Sequence, residues 1–149
     1  MTLYWFRRDL RLEDNTGLFH ALKSGNNIQP VFIFDTKILD KLSDKKDARV
    51  TFIHNTINHL DNDLKKHGSS LWVFYGSPEE VFRTLVDKHD ISEVYANRDY
   101  ESYALNRDKS IQSLLGEKNI PFHRFKDHVI FEGNEVLKKD GTPYTVFTP

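Results

Sequence analysis

Val31-Phe32-Ile33-Phe34 and Leu71-Trp72-Val73-Phe74 decide the fold, because neither run turns a polar side chain to either of its faces. Side chains alternate across a strand, so a strand that is apolar throughout needs cover on both sides. A parallel sheet between two helix layers supplies that cover. Working outward from these runs, residues 3–6, 28–34, 71–75, 93–96 and 121–125 read as strands, and the segments between them carry helical spacing. Val50, Ile53, Ile57, Leu60 and Leu64 form one apolar stripe, which Lys65, Lys66 and Gly68 bring to an end. Ser77-Pro78-Glu79-Glu80 has the N-cap serine, first-turn proline and returning glutamate of a helix start, ahead of Val81, Phe82, Leu85 and Val86. Further helices are expected over about 16–24 and about 101–116, the latter with Leu105, Ile111, Leu114 and Leu115 inward. Alternating β and α with right-handed crossovers gives an α/β fold: a doubly wound, Rossmann-like five-stranded parallel sheet with helices on both faces.

The chain has 149 residues, 38% apolar and 13% aromatic, enough for one core and too few for two typical domains. Charged residues make up 29% yet sum to a net charge of −1, so no sequence-wide basic field draws in nucleic acid. Cysteine is absent, which removes disulfides, thiolate metal sites and a cysteine nucleophile. The apolar opening is cut at Arg7, too soon for a signal-peptide core or a membrane span, so a cytoplasmic location is expected. The glycines form neither a dinucleotide fingerprint nor a P-loop, and no serine sits in a nucleophile elbow. His54 and His59 point about 140° apart on a helix, so no metal site is expected. No catalytic residue is identified.

Doubly wound sheets bind ligands beyond the carboxyl ends of their strands. That rule directs attention to residues 7–15, Asp35-Thr36, Gly76-Ser77 and 97–103. Arg7-Arg8-Asp9-Leu10-Arg11-Leu12-Glu13-Asp14-Asn15 is denser in charge than a connecting loop needs, although it also reads as a self-satisfying loop whose Asp14 or Asn15 caps a helix. Asp35 reads either as a ligand contact or as a turn-forming residue. Arg49 opposes the dipole of the helix it begins, so a carboxylate or a bound anion should compensate it. Asp99-Tyr100-Glu101-Ser102-Tyr103 sets acids and phenols at alternate positions. The acids suit a planar polar ligand covered by aromatic rings, or equally a helix start that favours negative charge. After Phe125 the pattern changes: residues 129–131 and 144–147 flank Asp140-Gly141, as in a hairpin or an extended connector.

Trp5-Phe6-Arg7-Arg8-Asp9-Leu10-Arg11-Leu12-Glu13-Asp14-Asn15 resembles the opening signature of the DNA photolyase and cryptochrome family. Phe34-Asp35, Ala48-Arg49-Val50, residues 97–108 and residues 144–149 resemble further landmarks of that family in the same order. The resemblance implies an N-terminal antenna-chromophore domain over 1–130, the start of an interdomain connector over 131–149, and a C-terminal helical FAD-binding domain absent from this chain. It implies the light-harvesting part of a deoxyribodipyrimidine photolyase, a carbon-carbon lyase that repairs cyclobutane pyrimidine dimers in DNA, with the isolated piece inactive. A cryptochrome blue-light receptor and a small nucleotide-binding module without photochemistry are the alternatives.

Folate-binding members carry an Asn-Glu pair where this sequence has Tyr103-Ala104. The resemblance therefore implies 8-hydroxy-5-deazaflavin or a flavin as antenna rather than methenyltetrahydrofolate. On that carry-over Arg49 meets an anionic edge or phosphate and Asp99 and Glu101 accept ring donors. Asp35 and Tyr103 match at the site, Phe34 and Tyr100 pack beside the ring, and Phe6 and Arg7 join them. The implied partners are the FAD domain and, through the intact protein, damaged DNA, with no membrane. Exposed apolar surface near Val146 and Phe147 is expected to give weak self-association.

Overall fold

The computed structural model describes residues 1–44 and 47–145. The elements run β1 (Thr2–Phe6), α1 (Thr16–Lys23), β2 (Ile28–Asp35), α2 (Thr36–Leu39), α3 (Ala48–Lys66), β3 (Trp72–Gly76), α4 (Pro78–Lys88), β4 (Glu93–Asn97), α5 (Ser102–Gly116) and β5 (Phe122–Phe125). Local chemistry sets the helix starts. Asn15 Oδ1 accepts from the Leu18 amide at 3.1 Å, and Ser77 with Glu80 closes a reciprocal capping box on α4.

The sheet has five strands in the order β3-β2-β1-β4-β5, all parallel. Chain order therefore reverses between β1 and β4, which is where a doubly wound sheet opens a crevice at its carboxyl edge. β1 is central and buried throughout, and it divides its side chains between two cores. Leu3 and Trp5 join Val31, Ile33, Phe82, Leu85, Ile111 and Leu115 under α4 and α5. Tyr4 and Phe6 join Phe32, Leu18, Ile57, Leu60 and Leu64 under α1 and α3. The doubly wound reading is thus the observed architecture.

Two details differ from the sequence expectation, and the segment after Phe125 fills in what was left open. β3 is apolar on both faces yet lies at the sheet edge, so Val73 and Tyr75 are 45% and 71% exposed. Leu105 faces solvent, 51% exposed, because α5 turns Ala104, Ile111, Leu114 and Leu115 inward together with the charged pair Arg107 and Asp108. Residues 129–131 form no strand, and Ile130 is 84% exposed. Of the hairpin or extended connector expected after Phe125, the described residues show a turn at Asp140-Gly141, where the Gly141 amide donates to Lys138 O at 2.9 Å with Gly141 at φ +80°, and residues 146–147 of the second flank lie outside them. The short α2 carried no sequence signal beyond its cap, Asp35. Val146 and Phe147, where self-association was expected, lie outside the described residues.

Candidate functional site

The charged loop after β1 is partly a structural knot. The Tyr4 hydroxyl lies 2.7 Å from both Asp9 Oδ2 and Asn15 Oδ1, and its single proton serves one of them. Asn97 Nδ2 donates to the same oxygens at 2.7 and 2.9 Å, while Asn97 Oδ1 accepts from the Gly17 amide at 2.8 Å. Asp9 Oδ1 takes the Arg7 amide. These buried groups satisfy one another and tie β1, β4 and α1 together at the switch point. Burial, with the Asp9 carboxylate beside it, pushes the Tyr4 phenol far up, so it remains a neutral donor.

Beside that knot a hollow of about 390 Å³ opens over the carboxyl ends of β1 and β2 and the start of α5. Its volume falls in the range of small-molecule sites. Trp5, Phe6, Phe32, Phe34 and Tyr103 supply rings to its wall, with Ile33, Ile38, Leu39 and Ile53 filling between. The polar groups converge from separate segments: Arg7 and Arg8 after β1, Asp35 at the end of β2, Asp99 and Glu101 after β4, and Arg107 one turn into α5.

Most of these charges are paired. Arg8 reaches Asp99 at 3.4 Å and Glu101 at 2.7 Å, so the alternating acids do face one way, toward a common cation. The Glu101 contact, aided by Asp99, holds the Arg8 guanidinium above its ordinary range despite partial burial. The Tyr103 hydroxyl donates to Asp35 at 2.5 Å, and burial followed by that carboxylate raises the Tyr103 phenol.

The buried side is different. Arg7 and Arg107, both almost wholly enclosed, share the single carboxylate of Asp108 at 2.8 and 3.0 Å. Arg7 Nε and Nη2 find no acceptor among the described residues. Burial first, and the Arg107 charge second, bring Arg7 down to about 10, still cationic at neutral pH. Two guanidiniums on one carboxylate leave positive charge in excess at the wall of the hollow, an arrangement that a bound anionic group would complete.

Of the residues singled out from sequence, the structure brings Phe6, Arg7, Phe34, Asp35, Asp99, Glu101 and Tyr103 to one hollow. Arg49 and Tyr100 do not line it. Arg49 bonds to Asp47, the N-cap of α3, and is 75% exposed; Asp47 is the carboxylate its place at a helix start demanded. Asp47 in turn is held at about 2 by that guanidinium. Tyr100 lies outward near Glu132, its phenol pushed up to about 12 by partial burial and that carboxylate. Sequence reasoning missed Trp5, Arg8, Lys41 and Arg107 as wall residues. Arg8 was legible as a member of the dense loop, whereas Arg107 reads as an ordinary polar position of α5 until burial reveals it. Among the described residues no His, Cys, Asp and Glu cluster could hold a metal.

A sequence model of the DNA photolyase family matches residues 2–149. The chain belongs to the DNA photolyase family. Among relatives, a deoxyribodipyrimidine photo-lyase of Alkalihalophilus pseudofirmus is 35% identical across 97% of this chain and 30% of its own length. Cryptochrome-1 of Erithacus rubecula is 27% identical over 93% of the chain and 22% of its own. Among solved structures, a class III photolyase of Agrobacterium tumefaciens superposes with a TM-score of 0.85 at 28% identity, over 99% of this chain and 30% of that one. A Sulfolobus tokodaii photolyase, solved with two FAD molecules and described as implying a novel light-harvesting cofactor, gives 0.77 at 35% identity over 89% and 32%. The chain therefore spans about a third or less of these photolyase relatives, and the family likeness to an α/β first domain agrees with the fold. No helix among the described residues is long and apolar enough to cross a membrane.

Proposed function

We propose that this chain is the antenna-chromophore domain of a deoxyribodipyrimidine photolyase and that its hollow seats 8-hydroxy-5-deazaflavin or a flavin. One observation carries the reading: a ring-walled hollow beside the switch point, lined by Arg7 and Arg107 over a single shared carboxylate, suits a flat aromatic ligand with an anionic edge or phosphate. Phe6, Phe34 and Tyr103 flank the ring, Asp35, Asp99 and Glu101 offer acceptors at the rim, and Arg7 with Arg107 replaces Arg49 as the seat for negative charge. The bound pigment would supply light absorption. The chain's own residues fix its position and orientation, which set how well excitation passes to another cofactor. In the intact protein that cofactor would be FAD on a helical domain, whose electron splits a cyclobutane pyrimidine dimer. The 149 residues alone would repair nothing. The setting would be cytoplasmic.

Equilibrium dialysis of the chain against FMN, 8-hydroxy-5-deazaflavin and methenyltetrahydrofolate tests the seat. Uptake of either of the first two, weakened more than tenfold by Arg107→Gln as expected for a charged hydrogen bond worth about 1.5–3 kcal/mol, supports it. Uptake of the folate alone, or of none, overturns it. The cryptochrome reading is favoured by the Cryptochrome-1 relative. Repair of dimer-containing DNA by the full-length protein under blue light separates the two.

A further inference from the structure

Five aromatic rings line the hollow, but only two of them, Trp5 and Tyr103, are readily oxidised; Phe6, Phe32 and Phe34 are not. Each of those two has two cations set over it. The guanidinium carbons of Arg7 and Arg107 lie 4.1 and 5.0 Å from the Trp5 ring centroid. Lys41 Nζ and Arg107 Cζ lie 5.5 and 5.9 Å from that of Tyr103. We propose that these cations protect the excited state of a pigment in the hollow from reductive quenching by the hollow's own wall. The inference rests on the reading of the hollow as a pigment seat.

The physical case is a change in the sign of one interaction. A photoexcited flavin or deazaflavin is an oxidant, and a nearby indole can give it one electron. The products are an indole radical cation and a pigment radical anion. The electron then returns, both partners regain their ground states, and the excitation is lost as heat. While the ring is neutral, a cation above it is attracted to its face. Once the ring is positive, the same cation repels it, strongly so where water is excluded. Arg7 and Arg107 therefore raise the free energy of the radical pair and slow its formation. Asp108 bonds both guanidiniums and Asp9 also acts on Arg7, but Arg124 draws on Asp108 as well, so three cations face two carboxylates and a positive surplus is left to act on Trp5. Tyr103 is the less guarded ring, because Asp35 stands ready at 2.5 Å to take its proton. Trp72, packed near His89 on the far side of β3, does not line this hollow and serves as an internal reference.

The test is the fluorescence lifetime of FMN bound to the chain. Arg107→Met is expected to speed quenching about tenfold, the rate equivalent of about 1.4 kcal/mol of lost repulsion. Because Arg107 lies over both rings, Trp5→Phe together with Tyr103→Phe in the same background should restore the lifetime. A lifetime unchanged by Arg107→Met with FMN bound, or shortened but not restored by the two ring substitutions together, overturns the inference. Should Arg107→Met fail to fold or to hold FMN, the exposed Lys41→Met takes its place. It should shorten the lifetime, and Tyr103→Phe should restore it; no change, or no restoration, overturns the inference. Failure of the unaltered chain to take up FMN counts against the pigment seat and leaves a ligand-free readout. In a Trp72→Phe chain, pulse radiolysis should then find the Trp5 radical at a lower potential after Arg107→Met, and equal potentials overturn the inference.

Discussion

Asp108 is the residue on which the buried charge turns. It is 1% exposed and bonds both Arg7 and Arg107, with Arg124 a further 3.7 Å away. Replacing it with asparagine keeps the volume and leaves the guanidiniums without a countercharge, which costs about 3–5 kcal/mol for a buried pair broken from one side. Urea unfolding of Asp108→Asn should show a loss of that size, and a loss under 1 kcal/mol would mean that water already reaches the pair. Tyr4 makes a milder case. Its hydroxyl is one of several donors to Asp9 and Asn15, so Tyr4→Phe should lower stability by about 1–2 kcal/mol in the same measurement, since the acceptors keep Asn97. None of this was visible as pairing in the sequence. The density of arginine and acid in residues 7–15 signalled that the loop does more than connect, but which charges neutralise one another depends on contacts with Asn97, Asp108 and Asp127, about ninety or more residues away.

At the scale of elements, α1 is held by its N-terminus. Gly17 lies so close to β4 that a Cβ there would sit 2.7 Å from Asn97 Oδ1 and 3.2 Å from the Ala96 backbone. Gly17→Ala must push α1 off the sheet and should destabilise by about 1–3 kcal/mol, where an exposed helical glycine would gain from the same change; a raised melting temperature would show that α1 can slide freely. The second tether is Asp127, which accepts from the Thr16 amide at 3.0 Å and from Arg11 at 3.0 Å. Burial works to raise this carboxyl, but those donors prevail and hold it below its usual 3.8. A carboxyl lowered in the folded state stabilises the fold above its unfolded pKa, and that stability drains away as pH falls through the folded value. Stability should therefore decline below about pH 4, and Asp127→Asn should flatten part of that decline in pH-dependent unfolding. The helices themselves were legible from spacing and caps, as Ser77 with Glu80 and the Val50-to-Leu64 stripe show. Leu105 was not, because α5 spends inward positions on Arg107 and Asp108, and an apolar pattern cannot announce buried charge. The exposure of β3 was equally hidden, since two apolar faces do not reveal whether a strand is central or at an edge.

For the molecule as a whole, the order of elements was enough to give the sheet and the crevice rule, and hence to gather seven residues that the structure places around one hollow. It was not enough to sort Arg49 from Arg107: both are arginines in helices, and only the three-dimensional path leaves one exposed on its own N-cap and sets the other in a buried wall. The hollow draws on β1, β2, the segment after β4, α3 and α5, so its walls belong to both helix layers of the domain. A ligand there is gripped by both cores, and unfolding of either releases it. Binding should accordingly stabilise the entire domain in one transition, by RT ln(1 + [L]/Kd), or about 2.7 kcal/mol at a ligand concentration one hundred times Kd. Thermal unfolding of the 149-residue chain with increasing FMN or 8-hydroxy-5-deazaflavin should give a single melting step that climbs with concentration. Arg49→Ala should keep that climb because its side chain is spent on Asp47 at the surface, and Arg107→Gln should lose most of it. A climb lost with Arg49 and kept without Arg107 would move the seat of negative charge out of the hollow and onto the start of α3.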